Sequence, residues 1–358
     1  MGFLTDFMSI FYVVKIMALG TLAFLFTLFW TPLLTHFLYK YKLGKKIRSN
    51  GHTPVFTKLH AHKAGTPTMG GVLVWVTVLI FSLLFFYLAK FFPEVQIFQN
   101  LNFLSRGETL LPLGALVATA LVGLFDDWLD VREKGVAGGG GLNMKHRLGI
   151  YTLISLVGAW WFYFKLDWTV LHVPFWGNVE ISWWYIPFFI FVIVASAFSV
   201  NETDGLDGLA GGVLLTSFGA LGVFAFVLGR YDLATFCAVI AGALCAFLWF
   251  NINPARFYMG DTGAMSLGVT MGIIAMLTNT ALFLPIIGFI FVLESLSVII
   301  QVLSKKLRGG KKVFISAPIH HHLQARGWSE PKIVMRFWVV AGLTSAVGII
   351  LFLLDKVL

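Results

Sequence analysis

Residues 109–127 read TLLPLGALVATALVGLFDD. A run without a single charge ends abruptly in two adjacent carboxylates, Asp126 and Asp127. The run is close to the ~20 residues that cross a bilayer, and it is continuously apolar rather than alternating, so it reads as a transmembrane helix and not as a barrel strand. Working outward, similar runs recur at 16–38, 68–89, 147–164, 184–200, 207–229, 233–250, 262–279, 281–304 and 334–354. With 109–126 they predict an all-α polytopic membrane protein of about ten spans. The composition agrees: 58% hydrophobic, 12% charged, 36 Phe and 12 Trp, with a mean hydropathy of +0.85. These values exclude an ordinary soluble enzyme.

Ten spans place both termini on one side. Of the 26 Lys and Arg, 20 fall in the odd-numbered loops; the other six are Lys15, Lys90, Arg106, Lys165, Arg230 and Lys356. The positive-inside rule then puts the odd loops in the cytoplasm and both termini outside. The net charge of +9 is thereby a topology signal with attraction to anionic membrane lipid, and no nucleic acid partner is implied. The first fifteen residues have no basic head or cleavage site, which argues against a signal peptide and for an interfacial amphipathic segment. Cys237 and Cys245 both fall inside the seventh span and read as packing residues. Residues 1–358 form a single membrane domain. The stretch 166–183 is rich in β-branched and aromatic residues around Gly177-Asn178 and predicts a small hairpin on the outer face.

Carboxylates beside hydrocarbon cost free energy and mark function. Five of the 17 acidic residues lie in short clusters that the topology places on the cytoplasmic side. Asp126 and Asp127 end the third span, where the helix dipole disfavours them. NETDGLDGLAGG carries Asn201, Asp204 and Asp207; if it begins a helix, the two aspartates share a face at i and i+3. In FNINPARFYMGDTG, Asp261 suits a helix N-cap, and the amides there also suit a phosphate. APIHHHLQARGW holds His320, His321 and His322, which helical spacing splays; imidazole donors to a phosphate are favoured over a zinc site. GTPTMGG, with Lys63 just before it, reads as a glycine-bearing phosphate loop. Gly138 to Gly141 read as a flexible linker, and Glu294 with Gln301 as hydrogen-bonding groups inside the bundle. Carboxylates beside cations at a membrane surface suit Mg2+ and a phosphate ester, so the residues point to metal-assisted phosphoryl transfer to or from a lipid.

At these residues the chain resembles the polyprenyl-phosphate N-acetylhexosamine-1-phosphate transferases, and within them the phospho-N-acetylmuramoyl-pentapeptide transferase family. The matching segments are GTPTMGG (65–71), GLFDDWLD (123–130), NETDGLDGLA (201–210), FLWFNINPARFYMGDTG (247–263), ESLSVIIQV (294–302) and APIHHHLQARGW (317–328). The resemblance implies transfer of phospho-MurNAc-pentapeptide from UDP-MurNAc-pentapeptide to undecaprenyl phosphate, giving lipid I and UMP with Mg2+, in the bacterial inner membrane, by a homodimer. Carried onto matching positions, it makes Asp126 the base for the lipid phosphate, Asp261 the metal ligand, and Asp127 a support for either. It places Asn201, Asp204, Asp207, Asn251 and Tyr258 at the nucleotide, and His320, His321 and Lys63 near the sugar and pyrophosphate, with His322 beside them.

This chain departs from the family pattern at Asp130, where a lysine is usual; Lys134, Lys145 or Arg147 would supply the charge. Glu202, Thr262 and the glycine run 138–141 are further departures. Two rivals are a UDP-GlcNAc:polyprenyl-phosphate transferase, from which APIHHH discriminates, and an ion-coupled transporter, which predicts polar groups at mid-membrane.

Overall fold

The computed structural model describes residues 2–44, 65–132 and 141–358. Their helices, in chain order, are α1 (Gly2–Lys40), α2 (Val72–Phe91), α3 (Gln96–Leu101), α4 (Leu110–Val131), α5 (Met144–Lys165), α6 (Tyr185–Thr203), α7 (Leu209–Val227), α8 (Tyr231–Asn251), α9 (Gly260–Leu277), α10 (Leu284–Ile287), α11 (Phe289–Leu307), α12 (Ile319–Ala325) and α13 (Glu330–Val357). Eight helices among the described residues are long and apolar enough to cross a membrane, and a bent pair makes up to nine. α5 occupies the place of the fourth expected span and has the length for it, but the tryptophans, tyrosines and basic first turn of MKHRLGIYTLISLVGAWWFYFK lower its hydropathy.

α9 is the axis of the bundle. Every one of its residues is buried except Asp261. It packs against α4 on one side and α6 on another. Small residues allow this approach: a Cβ on Gly268 would lie 2.8 Å from the Ala197 Cα, and one on Gly272 2.9 Å from the Ile193 side chain. Association of helices in lipid relies on such close packing, since apolar burial gives little advantage there. The buried hydroxyls of α9 bond back along the helix, Ser266 to the Thr262 carbonyl at 2.6 Å and Thr270 to the Ser266 carbonyl at 2.7 Å, so no polar group is stranded. Around this axis α8 packs on α1, α2 and α7, and α13 on α7.

Several expectations are corrected. The third span does not stop at 126; α4 continues to Val131 and keeps both aspartates inside its last turns. The ninth span is not straight: α10 and α11 meet at 86°. The break falls at Gly288, and the run LPIIGFIF is apolar on both sides of it, so hydropathy does not register the turn. Residues 2–15 are not a separate interfacial segment but the start of the 39-residue α1. At ~1.5 Å per residue this helix outruns a ~30 Å hydrocarbon core.

The expected hairpin is present, with β1 (Val170–Val173) antiparallel to β2 (Gly177–Glu180). Its turn is Pro174 to Trp176, and Gly177-Asn178 open the second strand instead. The hairpin is fastened to the bundle by Asp355 near the end of α13, which contacts His172 Nε2 at 2.6 Å and accepts the Phe175 N–H at 2.6 Å. Asn279 accepts the His172 N–H at 3.0 Å.

Candidate active site

The polar clusters converge at the N-terminus of α9. A Cβ on Gly123 would run into the Asp261 backbone, so glycine there lets α4 lie flat against the start of α9. This brings Asp127 over the first amides of α9. Its Oδ1 accepts the Asp261 N–H at 3.0 Å and its Oδ2 the Thr262 N–H at 3.0 Å. The Asp204 carboxylate accepts the Gly260 N–H at 3.2 Å. α9 is therefore capped by carboxylates from two other parts of the chain. Asp261 is not the cap but lies within the first turn, and these amides are not open to a phosphate.

Asp126 faces elsewhere, as adjacent helical residues do. It is fully buried; its Oδ1 accepts the Leu142 N–H at 2.5 Å and its Oδ2 lies 2.9 Å from Arg147 Nε, an ion pair without a well-aimed hydrogen bond. Arg147, in the first turns of α5, also donates from Nη2 to Asp261 Oδ2 at 2.6 Å and from Nη1 to Asn201 Oδ1 at 3.0 Å. Asn201 Nδ2 closes the ring with Asp261 Oδ1 at 2.5 Å. Four elements, α4, α5, α6 and α9, thus meet on one guanidinium. Of the cations expected to make good the charge absent at Asp130, Arg147 is the one in the site; Lys145 is exposed, and Lys134 lies outside the described residues, as does Lys63. Gly141, the last of the glycine run and the only described one, is not spacer: a Cβ there would sit 2.8 Å from Asp126 Oδ1.

The histidines splay only in part: the His320 and His321 rings lie 4.1 Å apart at 63°, while His322 packs against Phe314. His320 is buried, with Nδ1 2.9 Å from Glu294 Oε2. Its Nε2 edge faces Gly205, where a Cβ would collide with it. Glu294 is thus an orienting group for His320. His321 pairs with Gln324 at 2.8 Å, while His322 Nδ1 accepts the Ile315 N–H at 3.2 Å and belongs to the loop. Gln301 holds that loop, its Oε1 accepting the Val313 and Phe314 amides and its Nε2 donating to the Phe314 carbonyl at 2.8 Å.

Asp204 and Asp207 do not share a helix face. They lie in a loop between α6 and α7, and Asp207 turns away to accept Asn253 Nδ2 at 2.9 Å and the Ala255 N–H at 3.1 Å. Asn251 is buried and joins this loop to the next, accepting the Gly208 N–H and donating to the Phe257 carbonyl. Tyr258 lies near Asp207, Glu330 and Asp204; burial, then these charges, push its hydroxyl up to about 12 against a hydrogen bond with Thr66, so it is a neutral phenol in ordinary buffers. GTPTMGG clasps the start of α9: the Gly70 and Gly71 amides donate to the Tyr258 and Met259 carbonyls at 2.7 and 2.8 Å, so these two are not open to a phosphate. Thr262 is satisfied between the Ala120 carbonyl and Trp75 Nε1.

An apolar cavity of about 770 Å³ opens beside this constellation, between α5, α6, α9, α10 and α11. Its lining includes Leu148, directly after Arg147, and Ser199, two residues before Asn201. Among the described residues no three His, Cys, Asp or Glu side chains form a metal-holding group; the Asp126 and Asp261 carboxylates both pair with Arg147.

The glycosyl transferase family 4 model matches residues 109–279, from the start of α4 to the end of α9. The first signature of the phospho-N-acetylmuramoyl-pentapeptide-transferases matches residues 63–73. A phospho-N-acetylmuramoyl-pentapeptide-transferase of Chloroflexus aggregans is 37% identical over 95% of this chain and 90% of its own length. The chain belongs to the phospho-N-acetylmuramoyl-pentapeptide-transferase family. A transferase of this name from a Geobacillus species is 38% identical over 92% of the chain and 95% of its own, and one from Listeria monocytogenes 38% over 91% and 94%. The chain is accordingly a multi-pass membrane transferase. The glycosyl transferase match takes in Asp126, Asp127, Arg147, Asn201, Asp204, Asp207 and Asp261, while Glu294 and the histidines lie beyond it.

Proposed function

We propose that this protein transfers phospho-MurNAc-pentapeptide from UDP-MurNAc-pentapeptide to undecaprenyl phosphate, releasing UMP and leaving lipid I, at the cytoplasmic face of the bacterial inner membrane. The observation that supports this reading most is a juxtaposition. An apolar cavity large enough for part of a polyprenyl chain ends beside the Asp126–Arg147–Asp261–Asn201 ring, where the phosphate at the head of such a lipid meets a guanidinium.

The chemistry balances in one step. An oxygen of the lipid phosphate attacks the phosphorus that bears the sugar, the bond from that phosphorus to the UMP oxygen breaks, and the new pyrophosphate joins lipid to sugar. Asp126, fixed by the Leu142 amide and Arg147, takes the proton from the lipid phosphate. His320, held by Glu294, and neighbouring His321 serve the sugar and pyrophosphate, while the loops bearing Asn251, Tyr258, Asp204 and Asp207 hold the nucleotide end. Asp127 acts by keeping the α9 start, and so Asp261, in place.

Asp261, the one residue of α9 that is not buried, is the candidate Mg2+ ligand. Its oxygens are held by Arg147 and Asn201, so a dication would take Asp261 by displacing one of them; a hard dication needs only one or two carboxylates and completes its shell with water and phosphate oxygens. Bound there, magnesium would offset the charge developing on the UMP leaving group. The same reading takes the protein as a homodimer, checked by crosslinking in native membranes.

The test is UMP release by purified protein with Mg2+, undecaprenyl phosphate and either UDP-MurNAc-pentapeptide or UDP-GlcNAc. Release with the first alone is expected; release only with UDP-GlcNAc overturns the reading. Direct attack is overturned if a phosphorylated aspartate is trapped that discharges to lipid phosphate at the turnover rate.

A further inference from the structure

The loop 204–208 touches four parts of the site. Asp204 caps α9, Gly205 meets His320, Asp207 holds the 253–255 backbone, and Gly208 bonds to Asn251. It is also gripped from outside the site by α13. Glu330 Oε1, at the first turn of α13, accepts the Asp207 N–H at 2.7 Å. Trp338, about two turns further on, donates its indole N–H to the Gly208 carbonyl at 3.1 Å. The indole lies so close over α7 that a Cβ on Gly212 would collide with its Nε1, and one on Gly208 would come within 3.4 Å of its ring. Gly208 also holds φ at +81°, a conformation glycine adopts without strain.

We propose that Glu330 and Trp338 are positioning residues for the donor nucleotide: they clamp both ends of the Asp207–Gly208 peptide and so set where Asp204, Asp207 and Asn251 stand. This rests on the reading that the loop serves the nucleotide end. The ion pairs of the Asp126–Arg147–Asp261 ring run through neither residue, and neither lines the apolar cavity, so the clamp bears on the donor end more directly than on the acceptor. The two grips differ in kind. Glu330 holds an amide by charge-assisted hydrogen bonding, and Trp338 holds a carbonyl and fills the space above two glycines.

Three variants test this: Glu330→Ala, Trp338→Phe, which keeps an aromatic ring but loses the N–H, and Gly212→Ala, which pushes the indole away. Each should raise the KM for UDP-MurNAc-pentapeptide by roughly three- to tenfold, the scale of one lost hydrogen bond. The kcat and the KM for undecaprenyl phosphate should stay within about twofold. Glu330→Gln, which keeps an acceptor oxygen, should recover most of the donor affinity. Hydrogen exchange gives a readout independent of activity: the Asp207 and Gly208 amides should exchange faster in Glu330→Ala and Trp338→Phe than in the parent protein. An unchanged donor KM in all three variants overturns the proposal, as does a parallel rise in donor and acceptor KM. If the parent protein releases no UMP the functional reading fails instead, and unchanged exchange at 207–208 would still sink the clamp.

Discussion

Arg147 stands in the first turns of α5, where the unpaired amides of a helix start repel a cation. It is nevertheless shared among Asp126, Asp261 and Asn201, and its planar fork is what allows three partners at once. Lysine's compact ammonium cannot span the same three partners in the guanidinium's geometry. Arg147→Lys should therefore lower the UMP release rate by at least about tenfold, with little change in melting temperature; full activity would remove the guanidinium from the mechanism. The neighbouring aspartates should separate in the opposite sense. Asp126→Asn should cost about a hundredfold or more in kcat. Asp127→Ala, which strips two amides of their acceptor, should destabilise the fold by about 1–2 kcal/mol in thermal unfolding. The carboxylate clusters were legible in the chain because charge is scarce in so apolar a composition. The division of labour between Asp126 and Asp127 was not, because Asp127 acts on amides 134 and 135 positions away. Arg147 carried a faint local signal, a cation at an unfavourable helix end, but its partners come from three other elements.

At the scale of elements, α9 sets the geometry, and its small residues matter for what they leave out. Gly268 lies against the Ala197 backbone, which has no flexible end to yield. Gly268→Val should destabilise the protein by about 1–3 kcal/mol, and it should lower activity through the spacing of Asn201 and Asp261 rather than through any lost contact. Unfolding in detergent alongside UMP release measures both. The helices were legible where hydropathy had an edge, as at Gly208, but at Asp126 the edge comes more than a turn before α4 ends at Val131. The turn at Gly288 had none, and the clasp formed by GTPTMGG resembled a ligand loop because glycines that admit a neighbouring backbone look the same in sequence as glycines that admit a phosphate.

Across the whole molecule the two ends of the bundle do different work. The hairpin end is a fastening: Asp355→Ala frees His172 and the Phe175 amide together and should lower the melting temperature, leaving both KM values unchanged. On the proposed reading the cavity takes the acceptor. Ala195→Phe, which fills it, should raise the KM for undecaprenyl phosphate severalfold without altering that for the nucleotide sugar. Its lining could not be picked out of the sequence, since lipid-facing and cavity-facing residues share one composition.

The angle at Gly288 bears on the surrounding bilayer. A straight span answers a change in membrane thickness by tilting as a rod. The α10–α11 pair meets at 86°, so it should answer by opening or closing at the joint, and α11 is a wall of the cavity. Host lipids with longer or shorter acyl chains should then shift turnover at limiting acceptor while leaving nucleotide affinity alone. The thickness of the membrane would in that way become a setting of the enzyme, read through a single glycine.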